Sequence, residues 1–269
     1  MISFPNAKIN LGLHILNKRS DGFHEIQSCL FPIPLTDALE IIPSTSTSFS
    51  SSGITIPGNN TDNLILKAYH LIAADFPDIS PIAAHLHKCI PIGAGLGGGS
   101  SNAAFALKML NEIFNLDLND QKLMDYAGKL GSDCPFFIRN EPQLASGRGE
   151  LLEKVQLDLA GNWLILIHPG IHVSTREAYA GVKPGPAEKK LADVLATPLS
   201  WQSDLHNDFE KSIFSNHTEI AAIKHTLNQA GAWYAAMSGS GSAVFGLFEN
   251  EPKNLAFPKK YFCFSRPLS

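Results

Sequence analysis

The densest chemical signal in the chain is the segment Pro91-Ile92-Gly93-Ala94-Gly95-Leu96-Gly97-Gly98-Gly99-Ser100-Ser101-Asn102-Ala103-Ala104, with five glycines in seven positions. Glycine is costly in backbone entropy, so such a run makes sense where the chain must approach a ligand closely and aim successive N–H groups at it. The run leads straight into a helical pattern, and the free N–H groups and positive dipole end of a helix make an anion site. Ser100 and Ser101 can cap that helix, donate to a phosphate or touch a bound Mg²⁺. The plain alternative is a glycine-rich turn with a serine cap. Gly93, Gly95 and Gly98 also satisfy the dinucleotide fingerprint, but no acidic residue closes a second strand about 20 residues on. A Walker A loop is excluded, because Gly99 precedes Ser100 with no lysine between them.

Three further groups could carry chemistry. In Gly131-Ser132-Asp133-Cys134-Pro135-Phe136-Phe137 a carboxylate enters an apolar run, which is expensive unless it is paired; taken alone it reads as a turn cap. In Pro5-Asn6-Ala7-Lys8-Ile9-Asn10-Leu11-Gly12-Leu13 the alternation puts Lys8, Asn10 and His14 on the polar side of a half-buried strand. Downstream, Phe23 and His24 follow the Asp21-Gly22 turn and can present an aromatic face and a hydrogen-bonding edge. Alone, Lys8 reads as a solvated lysine and His24 as a surface histidine. The small-residue segment 237–245 is a tight hairpin or a close approach of backbone to a ligand.

The elements that must position these residues follow from periodicity. Strands are predicted over residues 7–15, 26–34, 38–42, 82–89, 135–139, 143–147, 151–156, 163–168, 233–237 and 243–248. Helices are predicted over 62–75 (capped by Thr61 or Asp62), 100–115, from Asn119 to Gly131, and near 175–180, 188–196, 204–214 and 217–230. The serine-rich stretch 44–52 reads as a mobile surface loop or hairpin tip. Strands alternating with helices give a mixed α/β architecture in two lobes, divided as 1–156 and 157–269.

Composition narrows the class. The 269 residues are 44% hydrophobic and 17% charged, which excludes a disordered chain. No apolar run reaches the ~18 residues of a membrane span, and the N-terminus lacks the pattern of a signal peptide, so a cytoplasmic protein without a membrane partner is expected. A net charge of −4 argues against nucleic acid as partner, and Cys29, Cys89, Cys134 and Cys263 show no metal spacing and read as reduced thiols.

Together these segments resemble the galactokinase, homoserine kinase, mevalonate kinase and phosphomevalonate kinase superfamily. The matching segments are residues 5–12, 21–26, 91–104, 131–137, 168–170 and 238–245, in family order across nearly the whole chain. The first, second and fourth are particular to the branch acting on a cytidine-diphosphate-linked methylerythritol. The resemblance implies a two-lobed α/β (α+β) small-molecule kinase, with a left-handed βαβ crossover in an N-terminal ATP-binding domain and a ferredoxin-like C-terminal lobe. It implies ATP and Mg²⁺ as cofactors and transfer to the substrate's 2-hydroxyl in isoprenoid precursor synthesis. Asp133 matches the catalytic aspartate that orients or deprotonates the hydroxyl. Lys8 matches the lysine that keeps that carboxylate ionised. Residues 91–101 match the ATP phosphate loop. Phe23 and Tyr179 match the two aromatics that stack on cytosine, His24 the residue reading its edge, and Asn10 a polar residue near the hydroxyl. Cys134 stands where an aliphatic residue is common, and Phe23 where tyrosine is. No Mg²⁺ ligand is identified, and the oligomeric state stays open between monomer and weak dimer. A homoserine- or mevalonate-type kinase, a nucleotide sensor without chemistry and a dinucleotide oxidoreductase are the alternatives.

Overall fold

The computed structural model describes residues 1–59 and 62–269. In chain order its strands are β1 (Ile2–Ser3), β2 (Asn6–Lys18), β3 (His24–Thr36), β4 (Ala38–Pro43), β5 (Ser48–Gly53), β6 (Ile82–Lys88), β7 (Gln143–Ser146), β8 (Leu151–Lys154), β9 (Trp163–His168), β10 (Tyr234–Met237), β11 (Val244–Phe248) and β12 (Phe262–Pro267). Its helices are α1 (Leu64–Asp75), α2 (Gly98–Ile113), α3 (Asp120–Leu130), α4 (Phe136–Arg139), α5 (Thr175–Ala180), α6 (Leu191–Leu195), α7 (Trp201–Asp204), α8 (Glu210–Asn216) and α9 (Thr218–Gln229). The chain forms two compact units. One comprises Met1–Ala7, Leu35–Ile92 and Gly97–Glu141; the other comprises Lys8–Pro34, Gly93–Leu96 and Pro142–Ser269. The units interleave along the chain, whereas the element order suggested one cut after residue 156.

The first unit carries the sheet β1-β4-β6-β5, in which β4 runs antiparallel and β5 parallel to β6. Helix α1 connects β5 to β6, making a βαβ unit. Helices α1, α3 and α4 pack against α2, whose Ala103, Ala106, Leu107 and Leu110 are fully buried. Asn63 caps α1 by accepting from the Ile65 N–H, so the helix starts at Leu64; Asp62 lies outside it and Thr61 lies outside the described residues. Asn119 caps α3 through the Lys122 N–H, and Gly131 ends it in extended backbone.

The second unit holds two sheets, β2-β3-β7-β8 and β10-β11-β9-β12. Strand β9 pairs antiparallel with β11 on one side and β12 on the other. Ile165 and Ile167 of β9 join Leu13, Ile15, Phe209, Ile213, Ile223 and Leu227 in one apolar core. Among the described residues no helix is long and apolar enough to cross a membrane.

Four local readings change. Residues 136–139 form a helical turn instead of a strand. Phe136, Phe137 and Ile138 are all buried, and a short apolar run buried on every side has no period to read. Residues 48–53 form a strand instead of a loop, because the serine backbone pairs with β6 and the Ser50 and Ser52 hydroxyls bond His85 and His87. The helical stretch 204–214 is interrupted at 205–209, where Asn207 is buried. Strand β12 was not anticipated; its fourth to sixth residues, Ser265-Arg266-Pro267, hide the strand pattern.

Candidate active site

The two ends of the glycine segment, where it leaves β6 and where it enters α2, lie in the first unit. The N-cap of α2, Gly97, is left-handed (φ 68°), and no side chain caps the helix, so the N–H groups of the first turn have no side-chain acceptor at the cap. Ile92 and Gly99 are exposed. Gly98 is tightly enclosed: a Cβ there would lie 2.9 Å from both the Lys88 ammonium and the Ile90 side chain, so a larger residue would have to displace them. Ser101 is fully buried, and its hydroxyl has no hydrogen-bond partner among the described residues. Asp133 sits in the turn between α3 and α4, half-buried. The neighbouring Cys134 thiol is buried and raised to about 11 by desolvation, with a hydrogen bond from Ser100 working the other way.

In the second unit, Lys8 and Asn10 lie on β2 and are both only 4% exposed, so the polar face of that strand is buried. The Lys8 ammonium donates to Asn10 Oδ1 (2.5 Å) and to the Gly95 carbonyl (2.9 Å). Asn10 Nδ2 donates to Ser28 Oγ (2.8 Å), which donates to the Gly12 carbonyl (2.6 Å). This chain fixes which end of the Asn10 amide faces the lysine. The stretch Gly93–Leu96 is pinned in the same unit: Lys8 N–H donates to the Leu96 carbonyl (3.0 Å), Ala243 N–H to the Ala94 carbonyl (3.1 Å) and Ser238 Oγ to the Gly95 carbonyl (2.9 Å). Gly95 combines φ 78° with a position where a Cβ would overlap the Ser238 carbonyl, so only glycine fits there. Asn207 holds the turn after β10, donating to the Met237 (2.7 Å) and Gly239 (2.8 Å) carbonyls.

The aromatic residues also fall in the second unit. The His24 ring stacks on Tyr179, with centroids 4.8 Å apart and planes at 24°, and Tyr179 meets Phe209 edge-on. Phe23 is 54% exposed, and the Arg148 guanidinium lies 5.0 Å from its ring centroid. The turn carrying Phe23 and His24 is braced: Arg19 pairs with Asp21 and Glu25, and Glu25 accepts from the Gly147 N–H (3.0 Å).

The structure thus brings Lys8, Asn10 and Gly95 together, and separately His24 and Tyr179. Sequence reasoning missed Ser28, Arg148 and Asn207. Asn207 left one legible sign, a polar pair with Asp208 between Leu205 and Phe209. Arg148 left another, a cation between two glycines. Ser28 left none.

The family description GHMP kinases N terminal domain matches residues 63–141, and GHMP kinases C terminal matches 195–257. A relative from Cytophaga hutchinsonii, named 4-diphosphocytidyl-2-C-methyl-D-erythritol kinase, is 52% identical over 94% of this chain and 94% of its own. A relative of the same name from Bacteroides fragilis is 48% identical over the full length of both. A crystal structure of 4-(cytidine 5'-diphospho)-2C-methyl-D-erythritol kinase superposes with a TM-score of 0.78 at 31% identity, covering 92% of this chain and 90% of that one.

Proposed function

The chain belongs to the GHMP kinase family, with its mixed α/β two-domain fold, and we propose that it transfers the γ-phosphoryl group of ATP to the 2-hydroxyl of 4-diphosphocytidyl-2-C-methyl-D-erythritol, a step of the methylerythritol phosphate route to isoprenoid precursors. The observation that carries this reading is the 52% identity to a kinase of that name across 94% of both chains.

In this reading Asp133 orients the attacking hydroxyl and accepts its proton, the task a carboxylate performs in phosphoryl transfer. Lys8 supplies fixed positive charge for the phosphoryl group in flight. Asn10 and Ser28 hold that ammonium in one place, which their hydrogen bonds to Lys8 and Gly12 support. Residues 91–101 bind the ATP phosphates through backbone N–H groups and the free N-terminus of α2. Phe23 and Tyr179 stack on the cytosine, and His24 turns from its place on Tyr179 to hydrogen-bond the base edge. Phe23 offers an exposed ring, and Arg148 over that ring braces it.

Mg²⁺ fits the residues present. The Ser101 hydroxyl is buried with no hydrogen-bond partner among the described residues, and Ser100 stands beside it in the first turn of α2. Among the described residues no group of three His, Cys, Asp or Glu side chains is set for a metal, so the nucleotide's own phosphates would supply most of the donors. When bound, the ion neutralises charge on the phosphates. We also place the enzyme in the cytoplasm, where its four free cysteines stay reduced.

The test is ADP release by the purified protein with Mg²⁺-ATP and 4-diphosphocytidyl-2-C-methyl-D-erythritol, beside mevalonate and homoserine. ADP with the cytidine compound alone is the expected result. Turnover of mevalonate or homoserine instead would move the chain to another branch, and no ADP with any alcohol would remove the kinase reading.

A further inference from the structure

Asp37, between β3 and β4, is 1% exposed and its carboxylate is saturated with donors. Oδ1 accepts from the Cys89 N–H (2.7 Å) and the Ile90 N–H (2.8 Å). Oδ2 accepts from Asn102 Nδ2 (2.8 Å) and pairs with the Lys88 ammonium. Lys88 and Asn102 are each 4% exposed. Burial lowers the Lys88 pKa while the Asp37 charge opposes that shift.

The donors come from two places. Lys88, Cys89 and Ile90 form the stem by which the glycine segment leaves β6. Asn102 stands in the first turns of α2, where the segment ends. Gly98 packs directly against Lys88 and Ile90, closing the arrangement. A buried ion pair seldom adds stability over apolar residues of the same volume, since desolvation offsets the attraction. What this one does is fix geometry: one carboxylate joins the end of β6 to the start of α2, the two ends of the glycine-rich segment that lie in the first unit.

We propose that Asp37 is a positioning residue for the nucleotide: by tying the end of β6 to the start of α2, it sets the direction in which the N–H groups of the first turn of α2, residues 98–101, point. The inference rests on the reading of that segment as the ATP phosphate cradle. The binding energy of the phosphates is then realised only while both stems are held.

The test uses two variants of the full chain. Asn102→Ala cuts the helix-side stem and leaves the ion pair, while Asp37→Asn turns an amide N–H₂ toward two donors. Thermal melting establishes that each is folded, and Asn102→Ala decides alone if Asp37→Asn does not fold. Loss of a hydrogen bond to a charged group predicts a KM for ATP raised about tenfold or more in Asn102→Ala, with the KM for the alcohol within about twofold of the parent. Asp37→Asn shows the same split, larger. A KM for ATP unchanged in folded variants overturns the proposal, as does a parallel rise in both KM values or a fall in kcat alone, since a merely structural defect would act so. Calorimetry of ATP with the parent protein separates the two readings: no binding there removes the nucleotide cradle itself, whereas binding by parent and variants alike removes only the role of Asp37.

Discussion

Asp133 stands half-buried at the border of the buried run Cys134–Ile138, in the turn between α3 and α4. If it serves as base, Asp133→Asn keeps the shape and removes the acceptor for the proton. Turnover then falls by roughly 10²- to 10⁴-fold while ATP affinity stays within about threefold, as initial rates and calorimetry read them. Near-parental turnover removes Asp133 from the chemistry. Ser28 acts at one remove, since its hydroxyl anchors Asn10, which anchors Lys8. Ser28→Ala leaves the buried Asn10 Nδ2 without that acceptor, and kcat falls about three- to tenfold with the KM for ATP unchanged. A shift in KM without one in kcat contradicts that placing. Phe23 is exposed where a structural phenylalanine would be covered. Base stacking on an aromatic ring is worth about 1–3 kcal/mol, so Phe23→Ala raises the KM for the cytidine substrate by roughly 5- to 150-fold and spares ATP. Equal effects on both substrates dismiss the stacking role.

Elements differ in how plainly the chain announces them. Helices α1, α2 and α3 were legible because each carries an apolar stripe at helical spacing, and α3 also has Asn119 before it and Gly131 after it. Strand β2 was legible by alternation, but its polar face was misjudged: Lys8 and Asn10 are buried, because Lys8 also bonds Gly95 and Asn10 bonds Ser28, contacts that no local pattern contains. Helix α4 and strand β5 failed for opposite reasons, one buried on all sides and the other made of serines whose partners are the histidines of β6. Lys88, Asp37 and Asn102 were invisible as a cluster for the same reason as Ser28, since hydrogen bonds spanning 51 and 65 residues join them. The Asn119 cap is a local feature with a local effect. Asn119→Ala loses the bond to the Lys122 N–H and costs about 1 kcal/mol, which lowers the melting temperature by about 2–4 °C without changing turnover per folded molecule. An unchanged melting temperature shows that the first turn of α3 is held by other means.

At the scale of the molecule, charge and ligand pull in different directions. The protein carries a net charge of −4, so a polyanionic ligand is not drawn in by the overall field. In the proposed reading, affinity for ATP comes from local groups, the N–H donors around α2 and a few cations, that exist in this arrangement only in the folded chain. Binding confined to the folded state stabilises it by mass action, by about 2.7 kcal/mol at a ligand concentration of 100 Kd. For a chain of this size each kcal/mol moves the melting temperature by roughly 2–4 °C, so saturating Mg²⁺-ATP raises it by about 5–10 °C. Well above Kd, every further tenfold in ATP adds about 1.4 kcal/mol, so the midpoint climbs with the logarithm of concentration and does not level off at saturation. The same curve for Asn102→Ala lies about one decade to the right with an equal slope, because the variant weakens the nucleotide's hold without changing what is held. A melting temperature flat in ATP over that range means that the glycine segment is only a turn, and the kinase reading then fails at its first step.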